Sequence, residues 1–144
     1  MTKDLLESIK TSVNIALQED IGEGDITAKL IAADKHAKAT VITRDSAILC
    51  GTEWVNQVFN NLSEDININW HFEDGDKVKP NDILFTLEGS ARAILTGERS
   101  ALNFLQTLSG TATISHHYST LVAHTAVKIL DTRKTIPGLR LAQK

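Results

Sequence analysis

The sequence predicts an α+β domain with an antiparallel sheet, followed by the first strand, turn and helix start of a second, α/β unit. Three observations carry this. Leu5, Ile9, Val13, Ala16 and Leu17 fall on one helical stripe, and Ile66, Ile68, Trp70 and Phe72 alternate with polar partners in the manner of a half-buried strand. Near the end, the apolar run Val127-Lys128-Ile129-Leu130 reads as a buried strand leading into two adjacent cations and a proline.

The first helix is expected to stop at Gly22, just after Glu19-Asp20. Four carboxylates follow closely there (Glu19, Asp20, Glu23, Asp25), but without the alternating ligand spacing of a calcium loop. The segment reads as a solvated turn, with Asp25 capping a short helical turn at Ile26-Thr27. Residues 38–43 and 47–50 read as strands around the turn Arg44-Asp45-Ser46, and Trp54, Val55, Val58, Phe59 and Leu62 form the apolar side of a second helix.

Asp74-Gly75 supplies a tight turn, and Ile83-Leu84-Phe85 resumes the sheet after Pro80. Residues 74–85 resemble the hairpin units of biotinyl and lipoyl carrier domains, but no lysine stands between paired hydrophobic residues at a hairpin tip, so the likeness is one of fold geometry. From Thr96 the period turns helical. Ala101, Leu102, Leu105 and Leu108 line one face, Gly110 interrupts, and Ile114, Tyr118, Leu121 and Val122 continue on a second helix. The expected division is residues 1–108 as the α+β domain and 109–144 as a linking helix and the start of the second domain; no Gly/Pro/Ser-rich linker separates them.

The bulk properties restrict the function. With 144 residues, 42% of them hydrophobic and 23% charged, the chain can build a core. A net charge of −3 and a pI near 5.9 argue against a nucleic-acid footprint, so any anion site must be local. No apolar run reaches membrane-spanning length and no leader-like stretch follows the first residues, so a cytoplasmic location is expected. Cys50 is the only cysteine, which excludes an intrachain disulfide, and its setting in Ala47-Ile48-Leu49-Cys50-Gly51 suggests a buried structural thiol. His36, His71, His116, His117 and His124 read as structural or surface residues. The two neighbours His116 and His117 point about 100° apart on a helix, with one able to face solvent and the other the packing interface, a poor geometry for a shared metal. No metal ligands are expected in this chain.

The chemistry concentrates after Leu130. Catalytic groups of α/β folds sit beyond the carboxyl ends of parallel strands, which is where Thr132, Arg133 and Lys134 stand. Pro137 suits the first position of a following helix, so the turn reads as a cationic cradle facing a helix N-terminus, two features that favour anions. The chain is therefore expected to be the front portion of an enzyme, ending at the start of its catalytic domain.

Three blocks, in order, resemble quinolinate phosphoribosyltransferases: Glu19-Asp20-Ile21-Gly22-Glu23-Gly24-Asp25-Ile26-Thr27, then Gly97-Glu98-Arg99-Ser100-Ala101-Leu102-Asn103-Phe104-Leu105-Gln106, then Asp131-Thr132-Arg133-Lys134-Thr135-Ile136-Pro137-Gly138-Leu139-Arg140. The resemblance implies a hammerhead-type N-terminal α+β domain followed by the first strand-turn unit of an incomplete α/β barrel, in a head-to-tail homodimer. It implies phosphoribosyl transfer from phosphoribosyl pyrophosphate to quinolinate, with loss of CO2, giving nicotinate mononucleotide and pyrophosphate for NAD biosynthesis. Arg99 corresponds to the arginine donated across the dimer to the substrate carboxylates. Thr132, Arg133 and Lys134 correspond to the turn that contacts substrate and donor, Lys134 being the catalytic cation. Mg2+ is implied with the donor, its ligands lying outside this chain. The family's later Asn-His-Arg segment, further lysine and acidic residues are not in the sequence, so the polypeptide alone is expected to be inactive. Two readings stay beside this one: a related transferase acting on another substrate, and a non-catalytic, dimerising anion-binding domain.

Overall fold

The computed structural model describes residues 1–22, 24 and 30–144. The expected Asp25 cap and the turn at Ile26-Thr27 lie outside the described residues. Helix α1 spans Lys3–Ile21. The Thr2 hydroxyl accepts from the Leu5 N–H, Ile9, Val13 and Leu17 are buried, and Gly22 ends the helix at φ 51°, its N–H donating to the Gln18 carbonyl. The predicted stripe and stop are both in place.

Strands β1 (His36–Ile42), β3 (Asn67–Trp70) and β5 (Ile83–Ser90) form one antiparallel sheet in the order β1-β5-β3, while β2 (Ala47–Ile48) and β4 (Lys77–Val78) pair separately. The two strands around Arg44-Asp45-Ser46 therefore belong to different sheets. The reason is in the register. Ala37, Ala39 and Val41 sit opposite Gly89, Leu87 and Phe85, so the long β5 serves as the common partner of two strands remote in sequence. On its other side β5 meets β3, where the Trp70 and Phe85 rings lie 4.3 Å apart. Pro80-Asn81 makes the turn into β5, Asn81 taking the left-handed conformation at φ 74° that an asparagine tolerates.

Helix α2 (Thr52–Leu62) buries Trp54, Val55, Val58 and Phe59. Gly51 precedes it at φ 112°, close against Leu108, and its N-terminal amides are capped from a distance: one Asp74 carboxylate oxygen accepts from the N–H groups of Gly51 and Thr52. The turn predicted at Asp74-Gly75 thus also closes a helix. The two buried or half-buried indoles find partners, Trp54 on the Ser12 hydroxyl and Trp70 on the Asn56 side chain. The core lies between these helices and the sheet.

Helix α3 runs unbroken through Ala91–Val122, starting at the Ser90 cap rather than at Thr96 and passing straight through Gly110. The two expected helices are one. A glycine inside a helix weakens it by only about 1 kcal/mol relative to alanine and does not by itself break it. The first half of α3 is buried through Ile94, Ala101, Phe104, Leu105 and Leu108, whereas Ile114, Tyr118 and Leu121 in the second half are exposed. Among the described residues no helix is long and apolar enough to cross a membrane.

The strand expected at residues 127–130 does not form: that segment has no regular structure, and Val127, Ile129 and Leu130 are exposed. A strand suited to burial on both faces needs a neighbouring strand, and among the described residues none is paired to it. Nor does a helix open at Pro137. Pro137 and Gly138 (φ 81°) form a turn closed by the Leu139 N–H on the Ile136 carbonyl, and the short helix α4 begins only at Arg140, ending at Gln143. Leu139 and Ala142 pack on the core, and the Gln143 side chain accepts from the Ile136 N–H and donates to the Thr111 hydroxyl.

Candidate functional site

Arg99 lies on α3 one position before buried Ser100, which directs it outward: its side chain is 76% exposed. Its Nη1 donates to Oδ1 of Asp20 at 2.7 Å, and the Asp20 side chain is only 19% exposed. Asp20 is therefore more than part of a solvated turn. It joins the end of α1 to α3 across 79 positions of sequence. The pair borders a cleft of about 480 Å³ that is also lined by Glu19, Asn103, Thr107 and Leu139.

The three other expected site residues stand apart from this cleft. Thr132, Arg133 and Lys134 are exposed and do not line it; their local order is a turn in which the Thr132 hydroxyl accepts from the Lys134 N–H. With α4 of only four residues starting at Arg140, the expected cradle against a helix N-terminus is absent among the described residues. Within the chain, the cleft carries one guanidinium against the carboxylates of Glu19 and Asp20, so it lacks the positive excess that a dianion requires. Arg99 can serve such a ligand only where further cations meet it.

No group of three or more His, Cys, Asp or Glu suited to a metal occurs among the described residues, and no step is assigned to Mg2+. His116 and His117 both face solvent on α3, instead of dividing between solvent and interface, with the His117 ring edge-on to Tyr118. Cys50 is half-buried. Its N–H donates to the Ser109 hydroxyl, which in turn donates to the Cys50 carbonyl. Burial, and secondarily the nearby Asp74 carboxylate, push its thiol up from the ordinary value. The pairing of Asp20 with Arg99 is not evident from the sequence pattern. The available signal was a carboxylate in the last turn of a helix, where the helix dipole disfavours it.

Comparison with known proteins assigns the class. Residues 25–109 match the family described as quinolinate phosphoribosyl transferase, N-terminal domain, and residues 111–144 match its C-terminal domain. The chain belongs to the quinolinate phosphoribosyl transferase family. It is 35% identical over 136 residues to a probable nicotinate-nucleotide pyrophosphorylase [carboxylating] of Bacillus subtilis, covering 94% of this chain and 47% of that protein. It is 37% identical over 145 residues to a mitochondrial quinolinate phosphoribosyltransferase [decarboxylating] of Nicotiana tabacum, covering 99% of this chain and 40% of that one. The structure of the nicotinate-nucleotide pyrophosphorylase from Francisella tularensis superposes with a TM-score of 0.91 at 47% identity, over 95% of this chain and 49% of the other. That from Ehrlichia chaffeensis gives 0.87 at 35%, over 100% and 51%. The chain thus spans less than half the length of these curated relatives and about half of these solved chains.

Proposed function

We propose that this chain is the front part of a quinolinate phosphoribosyltransferase, a decarboxylating glycosyltransferase of NAD biosynthesis. The observation that carries the reading is the match to both domain families in sequence order, together with close superposition on nicotinate-nucleotide pyrophosphorylases. In this reading the enzyme is cytoplasmic and binds quinolinate and phosphoribosyl pyrophosphate, with Mg2+ accompanying the donor. It binds neither nucleic acid nor membrane.

Arg99 grips a quinolinate carboxylate from the neighbouring subunit of a homodimer, and its outward exposure suits that role. Thr132, Arg133 and Lys134 complete the cationic pocket, Arg133 as a planar fork and Lys134 as a compact charge beside the departing pyrophosphate. The quinolinate nitrogen attacks the ribosyl carbon, the carbon–oxygen bond to pyrophosphate breaks, and the ring becomes cationic. That positive nitrogen then accommodates the electron pair left when CO2 departs, and a proton replaces the carboxylate. The protein mainly positions and neutralises.

The exposed turn at residues 132–134 and the unpaired segment before it support inactivity of the 144 residues alone. The test is calorimetric titration of quinolinate into a full-length protein containing these residues and into its Arg99→Ala variant. Binding by the first and marked weakening in the second is expected; no binding to the full-length protein would overturn the reading.

A further inference from the structure

We infer that Asp20 is a positioning residue for Arg99, holding one edge of its guanidinium so that the other donors face the substrate carboxylates. The inference rests on the role just proposed for Arg99 and extends it to a residue on another helix. Three observations lead to it. Asp20 sits in the last turn of α1, which carries no basic residue, so the helix dipole opposes its charge and local helix chemistry gives no reason for it. Its side chain is largely covered while that of Arg99 reaches into solvent, which makes Asp20 the fixed member of the pair. The bond engages Nη1 at 2.7 Å, and a guanidinium has five donors in one plane, so most of the fork stays free.

The physical gain is preorganisation. An untethered arginine on a helix surface samples many rotamers, and ordering it on binding lowers affinity. A carboxylate at one edge fixes its plane before the ligand arrives, and Ser100, buried on the next turn position, fixes the helix side from which it projects. The pair itself contributes little to fold stability because Arg99 is so exposed, and deleting the carboxylate relieves the unfavourable helix end. These effects oppose one another. A merely structural pair would leave both melting temperature and kinetics near wild type, so a change in substrate affinity separates the two roles.

The experiment is steady-state kinetics of the full-length enzyme with Asp20→Ala, Asp20→Asn, Arg99→Ala and the Asp20→Ala/Arg99→Ala double variant. Asp20→Ala should raise the KM for quinolinate on the order of tenfold, the effect of misplacing one charge-assisted hydrogen bond. The KM for phosphoribosyl pyrophosphate and the melting temperature should stay near wild type. Asp20→Asn, which keeps an acceptor of the same shape, should recover part of the loss, and Asp20→Ala should add nothing to Arg99→Ala. An unmoved or lowered quinolinate KM in Asp20→Ala, or full additivity in the double variant, overturns the inference while leaving the proposed function intact. A wild-type enzyme without quinolinate turnover overturns both.

Discussion

Helix α3 contains two glycines in opposite settings, and alanine at each should move stability in opposite directions. At Gly97 an added Cβ would lie 2.8 Å from Cδ1 of Leu62 and 2.8 Å from Cε1 of Phe59. Leu62 is partly exposed and can yield, but Phe59 is 2% exposed and its ring is held by the core. Overpacking of this kind costs roughly 1–3 kcal/mol. Alanine returns about 1 kcal/mol of helix propensity, so Gly97→Ala should destabilise by about 1 kcal/mol. At Gly110 nothing lies within 4 Å of the added carbon, so Gly110→Ala should stabilise by up to about 1 kcal/mol. Urea unfolding of the 144-residue chain, followed by far-UV circular dichroism, measures both. With a slope of about 1–3 kcal/mol per molar, the two midpoints should fall on either side of wild type, each displaced by a few tenths of a molar or more. Two upward shifts would refute the close approach of α3 to α2 at Gly97, and with it the packing that sets the height at which Arg99 projects two residues later.

Arg133→Ala in the full-length protein should cripple turnover and quinolinate binding with less than about 0.5 kcal/mol change in stability, because the residue is exposed and makes no core contact; calorimetry and thermal melting report the two effects, and wild-type affinity would remove Arg133 from the site. Mixing full-length Arg99→Ala with Arg133→Ala should restore partial activity through hybrid dimers holding one intact site; absence of complementation after verified subunit exchange would put Arg99 to work within its own subunit. Cys50 should react slowly with a disulfide reagent at pH 7 and faster as pH rises, since burial and Asp74 hold the thiol protonated. Removing the Asp74 charge in Asp74→Asn lowers the thiol pKa, increases the thiolate fraction and should speed the reaction; an unchanged or slower rate contradicts that assignment.

What was legible in the sequence was set by local pattern. The α1 stripe Ile9, Val13, Leu17 and its Gly22 stop need only helical period and cap chemistry, and both appear. The partner of β1 was not legible, because β5 lies more than forty positions downstream and short strands carry no label for their neighbours. The single helix through Gly110 is not legible either, because an isolated glycine costs a helix only about 1 kcal/mol and does not by itself end it. Residues 127–130 have the composition of a buried strand, but composition states only what a segment can become when strands flank it. The site followed the same division. Arg99, Arg133 and Lys134 are legible as cations in family blocks, with Thr132 beside them, whereas the Asp20 contact becomes visible only when folding sets it 2.7 Å from Arg99.

The most direct measurement is release of labelled CO2 from carboxyl-labelled quinolinate by a full-length protein containing this chain, with and without phosphoribosyl pyrophosphate. CO2, pyrophosphate and nicotinate mononucleotide should appear in equal amounts, strictly dependent on the donor, and far more slowly from an Arg133→Ala protein. No release by the wild-type protein, or formation of a nucleotide on another base while quinolinate stays intact, would contradict the proposed function.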